Sequence, residues 1–301
     1  MTQSYTAAES VDDALAALAS GARPVAGGTD LVVSARQGKA PLPDSIVAIH
    51  RLAELRGVAL DGDMLRVGAL TIHEEIAEHT LARERLTALA DAAAVVGSHA
   101  TRAQGTLGGN LMNASPAMDV GGPLMCFGAT VGLRSQTGRR SVAVADLFAG
   151  PGKTTAGQGE LLTDVAVPLP PAETGSCYAR LEYRQQMEIA VVGATAVVTL
   201  AGNRIAAAKV AITALAPTVR LVPAAEEALV GSAGARSRQP SRALAASSSR
   251  SLRAATCTQP DESPALLERQ RRRVPARGGA GHDASSRRPR PRRPHRREGG
   301  M

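Results

Sequence analysis

The sequence predicts an α+β protein, and three features carry that prediction. Short β-like runs of Val, Ile and Leu alternate with helix-like segments from Ser10 to Val230. Turn sequences such as Asp61-Gly62-Asp63 and Ala201-Gly202-Asn203 separate paired runs in the manner of hairpins. Hydrophobic residues make up 44% of the 301 residues but aromatic residues only 2%, so Val, Leu, Ile and Ala must build the core.

The elements follow in order. In Ser10-Val11-Asp12-Asp13 the Ser10 hydroxyl can take an orphan helix N–H, with Asp13 near the third position. Leu15 and Leu18 then face the core. Pro24-Val25-Ala26 reads as a short strand entering a glycine turn, and Ser45–Ile49 as another strand. Val58–Leu60 and Leu65–Val67 pair across Asp61-Gly62-Asp63. Thr71-Ile72-His73-Glu74 reads as a second capping box, opening a helix to about Glu78. Leu81–Val95 reads as one longer helix with a small-residue face. Ala129–Leu133 and Arg140–Val144 read as paired strands, and Leu161–Val167 as a strand stopped by Pro168. Pro168-Leu169-Pro170-Pro171 is the domain-boundary candidate. Beyond it, Ala190–Leu200 and Ile205–Leu215 bracket a turn, and Pro223–Val230 has helix character.

Charge divides the chain. Before Arg236 there are 18 basic and 22 acidic residues; from Arg236 onward there are 17 arginines and 5 acidic residues. All five aromatic residues (Tyr5, Phe127, Phe148, Tyr178 and Tyr183) precede that break. The net charge of +8 therefore describes a mildly acidic body with a basic tail, not a nucleic-acid-binding domain. No apolar run reaches the roughly 18 residues of a membrane span. Met1–Ser10 lacks a basic-then-apolar start, and Cys126, Cys177 and Cys257 are scattered. A cytoplasmic protein in a reducing compartment is expected, with neither a disulfide scaffold nor a Cys-rich metal or cluster site.

Two glycine loops carry the chemical signal. The first is Ala26-Gly27-Gly28-Thr29-Asp30-Leu31. Adjacent glycines admit positive φ and close approach of backbone to a ligand, and successive N–H groups can cradle phosphate oxygens. Taken alone, it also reads as a plain surface turn. The second is Gly105-Thr106-Leu107-Gly108-Gly109-Asn110, continued by Asn113, Ser115 and Asp119. Asn110, Asn113 and Ser115 are placed to hydrogen-bond a polar ligand, and Asp119 to accept from ribose hydroxyls or a ring N–H. Two such loops suit a diphosphate gripped from both sides. Neither is a Gly-x-Gly-x-x-Gly fingerprint or a nucleoside-triphosphate loop, which argues against an ordinary Rossmann site and against ATP hydrolysis. His73 and His99 read as surface or loop-packing residues, Cys126 as a core cysteine, and Gly150-Pro151-Gly152-Lys153-Thr154 as a turn.

On these loops the chain resembles the FAD-binding, or medium, subunit of molybdenum hydroxylases, the carbon monoxide dehydrogenase and xanthine dehydrogenase relatives. The matching pieces are Pro24–Leu31, Val67–Glu75, Val96–Asp119, Gly150–Pro168 and Tyr178–Leu200, in family order from about Ala7 to Gly231. The resemblance implies a two-subdomain FAD-binding fold of the PCMH or vanillyl-alcohol-oxidase-like type over residues 1–170, with a subdomain boundary near 55–60. A small α/β C-terminal domain over 171–235 is implied to follow, with part of it missing. It implies FAD, its pyrophosphate held by Ala26, Gly27, Gly28, Thr29, Asp30 and Leu31 and by Thr106, Leu107, Gly108, Gly109 and Asn110. Asn113, Ser115 and Asp119 would lie along the ribityl, ribose or ring region, and Leu162 would touch the flavin. In Tyr178–Arg184, Arg180 stands where the family usually has Lys, and Glu182 where a small residue is usual. Arg180 keeps the charge, though not the hydrogen-bond geometry. Met187-Glu188-Ile189-Ala190 departs from the usual Asp-Ile-Ala.

The implied role is electron transfer. A large partner with a molybdenum cofactor would oxidise substrate, a small partner with two [2Fe–2S] centres would relay electrons, and this chain would pass them to an acceptor. A dimer of heterotrimers is the implied assembly. A stand-alone FAD-dependent oxidoreductase is the alternative enzyme reading. A non-catalytic binding protein using the basic tail is the other, disfavoured because no aromatic residue interleaves the arginines. The tail, 236–301, is Ser/Arg/Pro-rich, presents no apolar face and is expected to be disordered. A reading-frame change near Gly231–Arg238 accounts best for its composition.

Overall fold

The structure is a computed structural model and describes residues 4–184 and 187–234. The basic tail expected to be disordered lies outside the described residues.

The chain opens with β1 (Ser4–Ala7), α1 (Val11–Ala19), β2 (Arg23–Val25), α2 (Leu31–Arg36) and β3 (Ser45–Ala48). The strands form a parallel sheet in the order β1-β3-β2. The capping box sets the start of α1. The Asp13 N–H donates to the Ser10 hydroxyl at 3.1 Å, and the Ser10 N–H donates to the Asp13 carboxylate at 3.0 Å. Val11, Ala14, Leu15 and Leu18 then fall on one helix face and pack with Val47, Ile49, Leu52 and Leu55. Leu70, in a turn, and Leu161, on a strand of the next sheet, complete this core.

That sheet begins with the hairpin β4 (Val58–Asp61) and β5 (Met64–Gly68), turned at Gly62 with φ of +58°. Six short helices follow: α3 (His73–Glu78), α4 (Thr80–Arg85), α5 (Thr87–Ala94), α6 (His99–Arg102), α7 (Leu107–Asn113) and α8 (Gly121–Cys126). Then come β6 (Thr130–Ser135), β7 (Gly138–Ala143), α9 (Val144–Leu147), the small hairpin β8 (Phe148–Gly150) and β9 (Lys153–Thr154), and β10 (Leu161–Pro168). The antiparallel order is β4-β5-β10-β6-β7, so the hairpin pairs with a strand about a hundred residues later. Finally β11 (Thr174–Leu181), β12 (Val192–Ala201), β13 (Arg204–Thr213) and β14 (Arg220–Leu221) make a second antiparallel sheet, followed by α10 (Pro223–Leu229).

The main core is aliphatic, as the composition required. Leu86, Leu89, Leu107, Leu111, Leu124, Leu133 and Leu147 are fully buried. The same core continues past Pro168–Pro171 to include Tyr178, Val197, Ala211 and Val219. Cys126 lies within it, and burial pushes its thiol up to about 12, as suits an inert core cysteine. Among the described residues no helix is long and apolar enough to cross a membrane.

Two local expectations change. Thr71 does not cap α3: its hydroxyl takes the Gly57 N–H and donates to the Gly57 carbonyl, each at 3.0 Å. Satisfying a buried loop outcompetes capping a helix end that already carries Glu74 and Glu75. The expected helix over Leu81–Val95 is two helices, broken at Leu86 with φ of −126°. The break buries Leu86 completely and lets Arg85 donate to the Pro170 carbonyl. Gain of core contact and a satisfied carbonyl at the Pro-rich crossing offset the lost helical turn.

Ser10→Ala removes one half of the capping box and is expected to lower stability by about 1 kcal/mol. A urea denaturation midpoint against wild type checks this, and an unchanged midpoint would show that the cap contributes nothing.

Candidate cofactor site

The first glycine loop leaves β2 and enters α2. Gly28 has φ of +69°, a conformation that side-chain-bearing residues rarely adopt. Its carbonyl and that of Asp30 accept from Val32 and Ser34, which starts α2. Among the described residues the N–H groups of Gly27, Gly28, Thr29 and Asp30 have no acceptor. Four consecutive unsatisfied amides call for a partner outside the described chain, either water or an anion.

The second loop is organised differently. The Thr106 hydroxyl caps α7 by accepting the Gly109 N–H at 3.1 Å. Leu107 and Gly108 donate to the carbonyls of Thr71 and Ala69 at 3.0 and 2.9 Å, and Asn110 donates to Thr106 at 2.9 Å. Its amides therefore hold the loop in place. An extended entry into a short helix on a crowded core uses these backbone donors. Gly108 permits this docking, since a Cβ there would sit 2.8 Å from the Ala69 Cβ. The loop offers side chains instead. Asn110 Oδ1 is buried without a partner, and Asn113 is exposed at the helix end.

The loops meet. A Cβ on Gly27 would collide with the Gln104 carbonyl oxygen, so backbone packs directly on backbone. A Cβ on Gly105 would stand 3.5 Å from the Thr29 hydroxyl and 3.5 Å from the His73 ring. His73 is 1% exposed, its N–H donates to the Gly105 carbonyl, and its Nδ1 has no partner. Burial, with the Arg102 charge, pushes the imidazole down to about 4, so it is neutral. His73 is a loop-packing residue. His99 is exposed and pairs with Glu74 at 2.8 Å. No group of metal-ligating side chains occurs among the described residues.

Downstream, Gly152 of the β8–β9 turn donates to the Ala114 carbonyl at 3.0 Å, so the Lys153 segment is a turn that supports the end of α7. Ser115 accepts the Ala117 N–H. Leu162 is buried on β10 beside a register shift between Leu162 and Asp164. Asp119 is buried and already partnered: Tyr178 donates to it at 2.6 Å, and Arg180 Nη1 approaches at 3.3 Å. Burial pushes Asp119 up, while Tyr178 and Arg180 oppose that. Burial and Asp119 push the Tyr178 phenol up. The structure thus joins the loops at Gly27, Thr29 and Gly105 and gathers Asp119 with Arg180. Tyr178 joins this polar cluster without having been singled out from the sequence. The signal was the two-residue spacing of Tyr178 and Arg180, which puts both on one strand face.

These residues fit a phosphate-bridged cofactor: open amides on one loop, an unpartnered Asn110 oxygen on the other, and a join with no room for a Cβ.

Comparisons with known proteins agree. Residues 1–170 match the family model described as the FAD binding domain in molybdopterin dehydrogenase. Residues 177–253 match the CO dehydrogenase flavoprotein C-terminal domain. The chain is 30% identical over 232 residues to the carbon monoxide dehydrogenase medium chain of Afipia carboxidovorans, covering 76% of this chain and 80% of that one. It is 32% identical over 219 residues to the xanthine dehydrogenase FAD-binding subunit of Escherichia coli O157:H7, covering 71% and 75%. The solved carbon monoxide dehydrogenase from Hydrogenophaga pseudoflava superposes with a TM-score of 0.74 at 30% identity, covering 78% of this chain and 83% of that chain.

Two outcomes follow from this geometry. Gly27→Ala is expected to push the loops apart and cost at least tenfold in FAD affinity, whereas Gly138→Ala, in open space, leaves affinity unchanged. Flavin fluorescence titration of both checks it. Because burial pushes the folded His73 imidazole down to about 4, below its ordinary value of 6.5, the unfolded chain binds the extra proton between those values. Stability is therefore expected to fall as pH drops from 6.5 through 4, by roughly 3 kcal/mol for this residue. Urea midpoints across that window should fall less steeply in His73→Gln.

Proposed function

The chain belongs to the molybdopterin-dehydrogenase FAD-binding family, and from that membership we propose that it is the electron-transfer subunit of a molybdenum hydroxylase complex. It is a flavoprotein whose cofactor is FAD. Its partners in this reading are a large molybdenum-cofactor subunit and a small [2Fe–2S] subunit, assembled as a dimer of heterotrimers in the cytoplasm. The chain receives electrons from the small partner and delivers them to an external acceptor. The observation that supports the cofactor site in this reading is the backbone contact of Gly27 on Gln104 beside four open amides.

In this reading Gly27 to Asp30 donate backbone N–H groups to the pyrophosphate, and Thr29 adds its hydroxyl. Thr106 to Asn110 form the opposite wall, held rigid by their own hydrogen bonds, with Asn110 supplying a polar side chain. Asn113, Ser115 and Asp119 continue the track toward the ring, where Leu162 excludes water and Arg180 sets the charge. FAD supplies the redox chemistry; the chain binds, orients and shields it. In this reading the FAD-binding domain spans 1–170, with its subdomain boundary near 55–60, and the C-terminal domain spans 171–235 and contains the sheet β11–β14.

The purified full chain is expected to absorb as a flavoprotein and release about one FAD per chain. Co-expressed with its large and small partners, it should elute with them from a sizing column. A folded chain that takes up no added FAD overturns the site. A FAD-loaded chain that joins neither partner and oxidises a substrate by itself favours the stand-alone reading.

A further inference from the structure

A buried charge cluster around Arg180 has more negative than positive groups. The Arg180 side chain is 3% exposed and lies between two carboxylates. One Glu182 oxygen accepts from Nε at 2.6 Å and stands 2.6 Å from Nη2, which makes no hydrogen bond of its own. Asp119 takes Nη1 at 3.3 Å and also accepts the Tyr178 hydroxyl at 2.6 Å. Burial works against the guanidinium charge, but both carboxylates hold it on. The cluster thus sets two carboxyl groups against one guanidinium.

This arrangement removes what a lone cation would do. An unpaired cation beside a cofactor attracts added electron density, and it acts strongly where water is excluded. Here Glu182 faces the guanidinium at hydrogen-bond distance, closer than Asp119, and opposes that field. It also fixes the guanidinium plane through Nε, which leaves Nη1 for Asp119.

We infer that Glu182 is a redox-tuning residue: by pairing with Arg180 it holds the flavin at a lower midpoint potential than Arg180 partnered by Asp119 alone would. Glu182 acts through Arg180 and so is a positioning residue, not a catalytic one. The inference rests on the proposed reading that places Arg180 along the cofactor.

The test is a spectroelectrochemical titration of the FAD-loaded full chain, which reads the midpoint potential and not turnover. Glu182→Gln is expected to shift the midpoint to more positive values, and Glu182→Ser to shift it the same way with less demand on packing. Arg180→Gln is expected to shift it negative. In the double variant Arg180→Gln with Glu182→Gln, the positive shift seen at Glu182 should largely vanish, because its intermediary is gone. If Arg180→Gln moves the midpoint while both Glu182 variants leave it in place, the tuning role is overturned and the placement of Arg180 survives. If none of the variants moves it, the placement of Arg180 along the cofactor is overturned, and the tuning role with it.

Discussion

The contact on which the site depends is backbone against backbone: Gly27 lies against the Gln104 carbonyl with no room for a single added carbon. It joins a loop leaving the small parallel sheet to a loop entering a helix of the main core. Much of the surrounding structure serves that contact. The capping box and apolar face of α1 anchor the small sheet, while Leu70 and Leu161 tie it to its neighbour. The spent amides of Leu107 and Gly108 fix the far side against Ala69 and Thr71. A buried neutral His73 fills the space beneath Gly105 without introducing a charge that would need a partner.

The two loops look alike in sequence and differ in physics. One leaves its N–H groups open; the other uses them internally and offers rigidity and side chains. Such a division suits an extended ligand with a charged bridge, because one wall binds while the other aligns. The C-terminal sheet is part of the same construction. Its strand β11 carries Tyr178 and Arg180 to Asp119, on a segment sixty residues earlier, so the main core and the polar cluster are closed by the same strand.

Much of the fold was legible because its signals are local. The Ser10 cap, the hairpin at Gly62 and the strand pair around Gly202 each need only a few neighbouring residues. The family was legible for a related reason: glycine spacing in two loops and their order along the chain are sequence properties. Where local signals failed, tertiary demands had displaced them. Thr71 has the residues of a cap but serves Gly57, and Leu86 interrupts a helical pattern to fill the core.

The sequence by itself determined the aliphatic core, the alternation of elements, the two glycine loops and the acidic body with its basic tail, because composition and short-range spacing carry them. Tertiary structure alone decided which amides remain open, that His73 is buried, and that Arg180 has two carboxylate partners. Those facts depend on groups far apart in the chain. Hydrogen-bond satisfaction and charge pairing are settled only when such groups share one desolvated space.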